Sequence, residues 1–231
     1  NCMRNCPFGA MMDKSQLVDV LKHILNNENV VAMYAPAIAG QFKASSEQLE
    51  EGLQQAGFSK VYEVAKGADI TAALEAKEFE ERMARGEKRM TTSCCPAYGR
   101  AVHRHAPDLD PCISDTKSPM HYIAELAKKE NPGCVTVFIG PCLAKRREGM
   151  DDNNVDYVLS AEELAAYFTA KNIDLMQIDS EEKSESEKAS KSGRNFAVSG
   201  GVANAVKLRL KDPSILRPTV INGLGKEGMK Q

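Results

Sequence analysis

Hydrophobic and polar positions along the chain switch repeatedly between a helical and a strand-like period. In "SQLVDVLKHILNN" the residues Leu17, Val18, Leu21, Ile24 and Leu25 share one helical face, with Ser15 placed as N-cap. "NVVAMYAP" is a short uninterrupted apolar run, read as a buried strand that ends at Pro36. "SSEQLEEGLQQAG" opens on a capping box, Ser45 with Gln48, and stops at Gly57. "KVYEV" predicts a strand and "ADITAALEAKEFEERMARG" a long helix closed by Gly86. "RMTTS" reads as a strand, "SPMHYIAELAKKE" as a helix, and "CVTVFIG" as a strand that meets Pro141 and Cys142. Ser160 and Glu163 cap the helix "SAEELAAYFTAKN", "GGVANAVKLRL" opens as a helix after a glycine pair, and "RPTVING" predicts a late strand. "SEEKSESEKASKSG" has no core-forming residues and reads as a solvated loop. Strands alternating with helices predict an α/β fold with a mixed, largely parallel sheet flanked by helices. In such sheets functional residues collect at the carboxyl ends of strands.

Composition narrows the function. The 231 residues can bury a sizeable core, and a formal net charge of -2 argues against nucleic acid or an anionic membrane as partner. No apolar run reaches the length of a membrane span, and "NCMRNCPFGAMM" is not a signal peptide. Seven cysteines, an odd number at uneven spacing, fit a reducing, cytoplasmic setting in which thiols serve metal or redox chemistry.

Two cysteine patterns stand out. "TTSCCPAYGR" sets Cys94 beside Cys95, a spacing awkward for a disulfide, so that either one thiol is inert or the two have different tasks. Cys2-x3-Cys6-Pro7 is the back half of a bacterial ferredoxin cluster run, making residues 1–13 the expected remnant of a [4Fe-4S] module; exposed thiols on a chain end are the bland alternative. "HRH" at 103–105 reads as surface, since positions two apart on a helix diverge. Cys112 and Cys134 read as small buried hydrophobes, the methionines as core filler, and "GG" at 200–201 lacks the rest of a phosphate loop.

"TSCCPAY", "GPCLAKRRE" and the intervening "TKSPM", with "VVAMYAPA", "GFSKVYEVAKGADIT" and "SGGVANAV", resemble the large catalytic subunit of the iron-only, [FeFe], hydrogenases. The resemblance implies two lobes around a cluster site, with residues 14–231 as catalytic domain. It implies reversible oxidation of H2 to protons and electrons at an H-cluster, a [4Fe-4S] cluster linked to a di-iron subcluster carrying CO and CN. Cys95 and Cys142 then match cluster ligands, and soft thiolates suit iron–sulfur chemistry. Cys94 matches the residue that passes protons, Lys145 a donor to cyanide, Ser118 a second cofactor contact, and Pro36 a cofactor-side position. Glu75 and Glu78, three apart on one helix, match a proton relay with Ser114. Glu80 and Glu81 read as a solvated face, and Glu148 as either a structural or a relay carboxylate. The implied partners are a ferredoxin-type or other electron-transfer domain and, in some members, sensory or signalling domains.

Departures from the family pattern are expectations in their own right. The family draws two further ligands from a late motif, roughly MxCxxGC, which the sequence does not reach, so only Cys95 and Cys142 of four are expected here. Gly140 stands where highly active members commonly carry methionine, and Ala37 where they carry serine. Both resemble slow or hydrogen-sensing subfamilies. A non-catalytic hydrogenase-like iron–sulfur protein is a further alternative, against which the joint retention of Cys94, Ser114 and Glu78 speaks. A zinc scaffold would need paired CxxC knuckles that are missing.

Overall fold

The run Val30–Tyr34 forms strand β1, and every residue of it is buried, as a central strand covered on both faces requires. The computed structural model describes residues 6–180 and 188–220. Strands β2 (Lys60–Glu63), β3 (Val135–Gly140) and β4 (Tyr157–Ser160) complete a four-stranded sheet in the order β2-β1-β3-β4. All three pairings are parallel, with Tyr34 opposite Glu63 and Ile139, and Gly140 opposite Ser160.

Alternation along the strands divides the core. Val30, Ala32, Tyr34, Val137 and Ile139 face one layer, made of helices α1 (Leu17–Leu25), α2 (Ser46–Gln55) and α7 (Ala161–Ala170), through Val20, Leu53 and Leu164. Val31, Met33 and Phe138 face the other layer. There Val64, at the start of α3 (Val64–Ala84), packs with Met120, Ile123 and Ala127 of α5 (Pro119–Glu130). A smaller cluster joins the far half of α3, through Ala76 and Phe79, to Val206 of α9 (Gly201–Lys207) and to Leu210. Helices α4 (Pro96–His105), α6 (Ala144–Met150) and the short α8 (Lys191–Arg194) complete the regular structure among the described residues. None of their helices is long and apolar enough to cross a membrane.

Gly67 sets the crossing of α3 over α5. A Cβ there would lie 2.2 Å from the Pro119 carbonyl oxygen, so the two backbones touch because the residue has no side chain. This contact places the amino end of α5, and with it Ser118, directly against α3.

Several expectations are corrected. "RMTTS" is not a strand: Thr91 makes one isolated parallel bridge with Ile113, because its neighbours' side chains are committed to a helix rather than to a ladder. Val64 ends no strand; α3 begins there, directly after β2. Ser15 does not take the N-cap of α1, which is Gln16, although Ser15 Oγ accepts the Leu17 N–H at 3.2 Å and donates to Glu163. Residues 216–220 are irregular where a late strand was expected, and the end of "RPTVING" lies outside the described residues. Strand β4 and helix α6 were not anticipated. Both capping boxes, Ser45 with Gln48 and Ser160 with Glu163, are formed.

Candidate functional site

A parallel sheet delivers all its strand exits to one edge, and the loops of Pro36 and Cys142 begin there, whereas the double-cysteine loop follows α3. β1 exits through Ala35, whose N–H donates to the Ile139 carbonyl at 2.8 Å, into a 3-10 turn that starts at half-buried Pro36. β3 exits through Gly140 and Pro141 to Cys142, an exposed free thiol. A Cβ on Gly140 would lie 2.9 Å from the Phe138 ring and 3.1 Å from Ala35 Cβ. The position is therefore filled by its neighbours and leaves no hole.

Lys145 gathers three sequence motifs. Its Nζ donates to Glu148 Oε2 at 2.7 Å and to the Cys94 carbonyl at 3.2 Å, and the Ser118 hydroxyl donates to Glu148 Oε1. "TSCCP", "TKSP" and "PCLAK" thus meet at one ammonium–carboxylate pair, with Ser118 buried. Both partners are largely shielded from water, which raises the worth of the pair above that of a surface bridge. Glu148 is accordingly the carboxylate that holds Lys145 and Ser118 together.

The two adjacent cysteines face different surroundings. Cys95 is the N-cap of α4, with Pro96 at the first helical position, and its thiol is exposed. Cys94 is half-buried, and burial pushes its thiol up; the Thr92 hydroxyl opposes this, the Glu75 charge adds to it, and the Lys145 ammonium counters it.

Beneath this loop lies the middle of α3. Glu75 is 1% exposed and accepts from Thr92 Oγ1 at 2.7 Å and from the Ser93 N–H at 3.4 Å. Burial pushes its carboxyl up, the two hydrogen bonds hold it back, and the nearby Glu78 charge adds to the rise. Glu78, one turn on, also suffers from burial, yet its donors win and its carboxyl lies below the usual range. These are Ser114 Oγ at 2.5 Å, the Asp115 N–H at 3.0 Å and Thr116 Oγ1 at 2.8 Å, joined by the Arg82 guanidinium at 2.7 Å. Two carboxyls on one helical face are thus pushed in opposite directions, Glu75 up by burial and Glu78 down by its donors. Ser114 pairs with Glu78, while Thr92 pairs with Glu75.

Thr92, Thr116 and Arg82 were not singled out in the sequence. Arg82, four residues after Glu78, carried the one available signal, an acid–base pair at helical spacing. It is buried, and it also donates to the carbonyls of Pro111 at 2.7 Å and Ile113 at 2.9 Å, which fixes the loop that carries Ser114.

The remaining candidates separate. Neighbouring backbone N–H groups, chiefly those of Phe8, Ala10 and Met11, lower the Cys6 thiol; Cys2 lies outside the described residues. His103 pairs with Asp110 at 2.9 Å on the surface, and His105 is exposed. Cys134 is buried, but Cys112 is only half-buried, because it faces an open groove beside Arg82 and Arg85. Glu81 is exposed, whereas Glu80 accepts the Lys211 N–H at 2.7 Å and so helps to seat the segment after α9.

The exposed thiols of Cys95 and Cys142 are donors of the kind that could serve two corners of a [4Fe-4S] cluster, and they stand on two loops joined by the Lys145 bond to the Cys94 carbonyl. Among the described residues no group of three or more His, Cys, Asp or Glu side chains is placed to hold a metal ion.

The known proteins that the chain is similar to are hydrogenases. The chain is 28% identical to iron hydrogenase 1 of Clostridium pasteurianum over 236 aligned positions, covering 89% of this chain and 41% of that protein. It is 27% identical to the NADP-reducing hydrogenase subunit HndD of Solidesulfovibrio fructosivorans, covering 88% of this chain and 40% of the relative. The chain therefore spans about two fifths of the length of these curated relatives. Among solved structures it superimposes on a variant of the [FeFe]-hydrogenase HydA1 of Chlamydomonas reinhardtii with a TM-score of 0.70 at 25% identity, over 85% of this chain and 57% of that one. Residues 28–224 match the family model described as iron only hydrogenase large subunit, C-terminal domain, and the chain belongs to that family.

Proposed function

We propose that the chain is part of an [FeFe]-hydrogenase that interconverts H2 with two protons and two electrons. The observation that supports this best is the Lys145 ammonium, which bonds the Cys94 carbonyl and Glu148 and so draws the two cysteine loops together. In this reading Cys95 and Cys142 hold the [4Fe-4S] half of an H-cluster, with the other thiolates drawn from outside the described residues. The cluster would supply the centre at which dihydrogen is made or split. Lys145 keeps an N–H for an anionic ligand, Ser118 is oriented by Glu148, and Pro36 borders the cofactor side. Cys94 hands protons to and from the buried carboxyl of Glu75. Glu78 and Ser114 carry them towards Arg82 and the surface, each group able to accept and donate. Residues 1–13, with Cys2 and Cys6, belong in this reading to a ferredoxin-like module that passes electrons to a further iron–sulfur domain. The setting is cytoplasmic, without nucleic acid or membrane partners.

A slower, hydrogen-sensing role is a second reading, favoured by Gly140, beside which Phe138 and Ala35 fill the space a larger side chain would need. Infrared spectra and H2-driven dye reduction of the full-length, anaerobically matured protein test both. CO and CN bands with fast turnover support the enzyme; the bands with turnover slower by orders of magnitude support the sensor. Iron without such bands sinks both. Comparing Cys95→Ser with Cys94→Ser in that protein tests the assigned roles. The first should lose cluster, and the second should keep the bands while losing ~10²–10⁴-fold in turnover, the usual contribution of a positioned acid.

A further inference from the structure

One side chain touches both the double-cysteine loop and the buried carboxyl below it. Thr92 Oγ1 donates to Glu75 Oε1 at 2.7 Å and accepts the Cys94 N–H at 3.4 Å. A purely structural role for this hydroxyl would be to hold the loop, but the loop has other ties. The Thr91 N–H donates to the Cys112 carbonyl at 2.7 Å, the Thr91 carbonyl accepts the Ser114 N–H at 2.8 Å, and the Ser93 hydroxyl donates to the Thr116 carbonyl. Glu75 has fewer. Its carboxyl is sealed from solvent, and among the described residues it receives, beside the 2.7 Å bond from Thr92, only the long contact from the Ser93 N–H. A buried carboxyl with one good partner takes its orientation from that partner.

We propose that Thr92 is the positioning residue for Glu75: its hydroxyl fixes the carboxyl against the double-cysteine loop and sets the face that Glu75 presents to Cys94. The use made of that carboxyl rests on the proposed relay; its placement by Thr92 does not. The titratable groups around it are Glu78 one turn along α3 and Cys94 in the loop, with Lys145 of α6 acting on Cys94. Because the Thr92 bond favours ionised Glu75, its loss makes the carboxyl a weaker acid.

The test uses the 231-residue chain without any cluster. Thr92→Val replaces the side chain with one of nearly the same volume but no hydroxyl, and Thr92→Ser restores the hydroxyl. Titration of the carboxyl infrared band that disappears in Glu75→Gln should show an acid about tenfold weaker in Thr92→Val, the scale of one hydrogen bond to a charged group. Thr92→Ser should return it to within about twofold. Thr92→Ala asks for no extra room and gives the same shift should valine not be accommodated. An unshifted Glu75 in a folded hydroxyl-free variant overturns the inference. In the matured full-length protein Thr92→Val should lower kcat and leave KM for the electron carrier unchanged, with Thr92→Ser restoring kcat. A shifted Glu75 with wild-type kcat would keep Thr92 as the positioning residue and overturn the relay.

Discussion

Replacing Gly67 with alanine tests whether the site depends on the α3–α5 crossing. In an open helix the change would stabilise by roughly 1 kcal/mol, the helix-propensity gap between the two residues. Here the added methyl would sit 2.2 Å from the Pro119 carbonyl oxygen and 3.3 Å from Ile123 Cβ. The oxygen is backbone at the start of α5, so no side-chain rotation relieves it, and the two helices must separate until the contact passes 3.0 Å. Such overpacking costs typically 1–3 kcal/mol in a core and more where backbone must move, which outweighs the propensity gain. We expect a net loss of about 2 kcal/mol, or about 4–8 °C in Tm for a domain of this size. Because Ser118 precedes Pro119, the displacement should also loosen the Ser118–Glu148–Lys145 network. Thermal unfolding by circular dichroism reads the first effect, and amide exchange at residues 118–122 the second. A Gly67→Ala protein as stable as wild type would refute the close crossing.

Three further outcomes follow from buried charge. Arg82→Ala should cost about 3 kcal/mol in denaturant unfolding, because it removes the cationic partner of a buried pair with Glu78 and a donor to each of the carbonyls of Pro111 and Ile113; a loss below about 1 kcal/mol would show that the guanidinium holds nothing. Glu78 is depressed by its donors, so its contribution is present above the unfolded carboxyl value of about 4.3 and is lost as pH falls through the lower folded value. Glu75 is raised, so its cost is present above its folded value and is relieved as pH falls to the unfolded value. Glu78→Gln should therefore flatten the acid limb of Tm against pH, and Glu75→Gln should raise Tm at neutral pH; the reverse pair of results would show the two directions misassigned. Arg146 binds Asp13, the Lys14 carbonyl, Glu163 and the Val158 carbonyl, so Arg146→Ala should speed tryptic cleavage after Lys14 about tenfold for each ~1.4 kcal/mol of anchoring lost. Unchanged cleavage would mean that the segment is held elsewhere.

What could be read in the sequence was local. The run Val30–Tyr34 announced a central strand because burial on both faces leaves no polar position, and Ser45 with Gln48 announced a helix start because both partners lie within one turn. "RMTTS" misled because β-branched residues favour strands only when a pleated neighbour receives them, and Thr92 is received by a carboxyl on a helix. Tyr157–Ser160 was passed over because four residues behind an acidic stretch carry too little periodicity to show. Ser15 lost the cap of α1 to Gln16 while bonding Glu163, a partner 148 positions away that no local rule can find. The site divides in the same way. Cysteines and motif lysine stand in the sequence, whereas Thr92 beneath Cys94 and Arg82 beneath Ser114 matter only because separate segments meet.

The adjacent thiols follow from the same local physics. A residue before proline is driven out of the helical region, and Cys95, before Pro96, is extended at φ -104°, ψ 104°. The chain bends at Ser93 and Cys94 just before it, and the two neighbouring thiols differ in exposure. Proline at the first turn of α4 fixes Cys95 as the exposed cap of that helix, while Cys94 lies half-buried near Thr92, Glu75 and Lys145. One thiol is exposed, while the other is half-buried beside a hydroxyl, a carboxyl and an ammonium. That is a physical reason for two cysteines side by side to serve different tasks, and it requires nothing of the cluster itself.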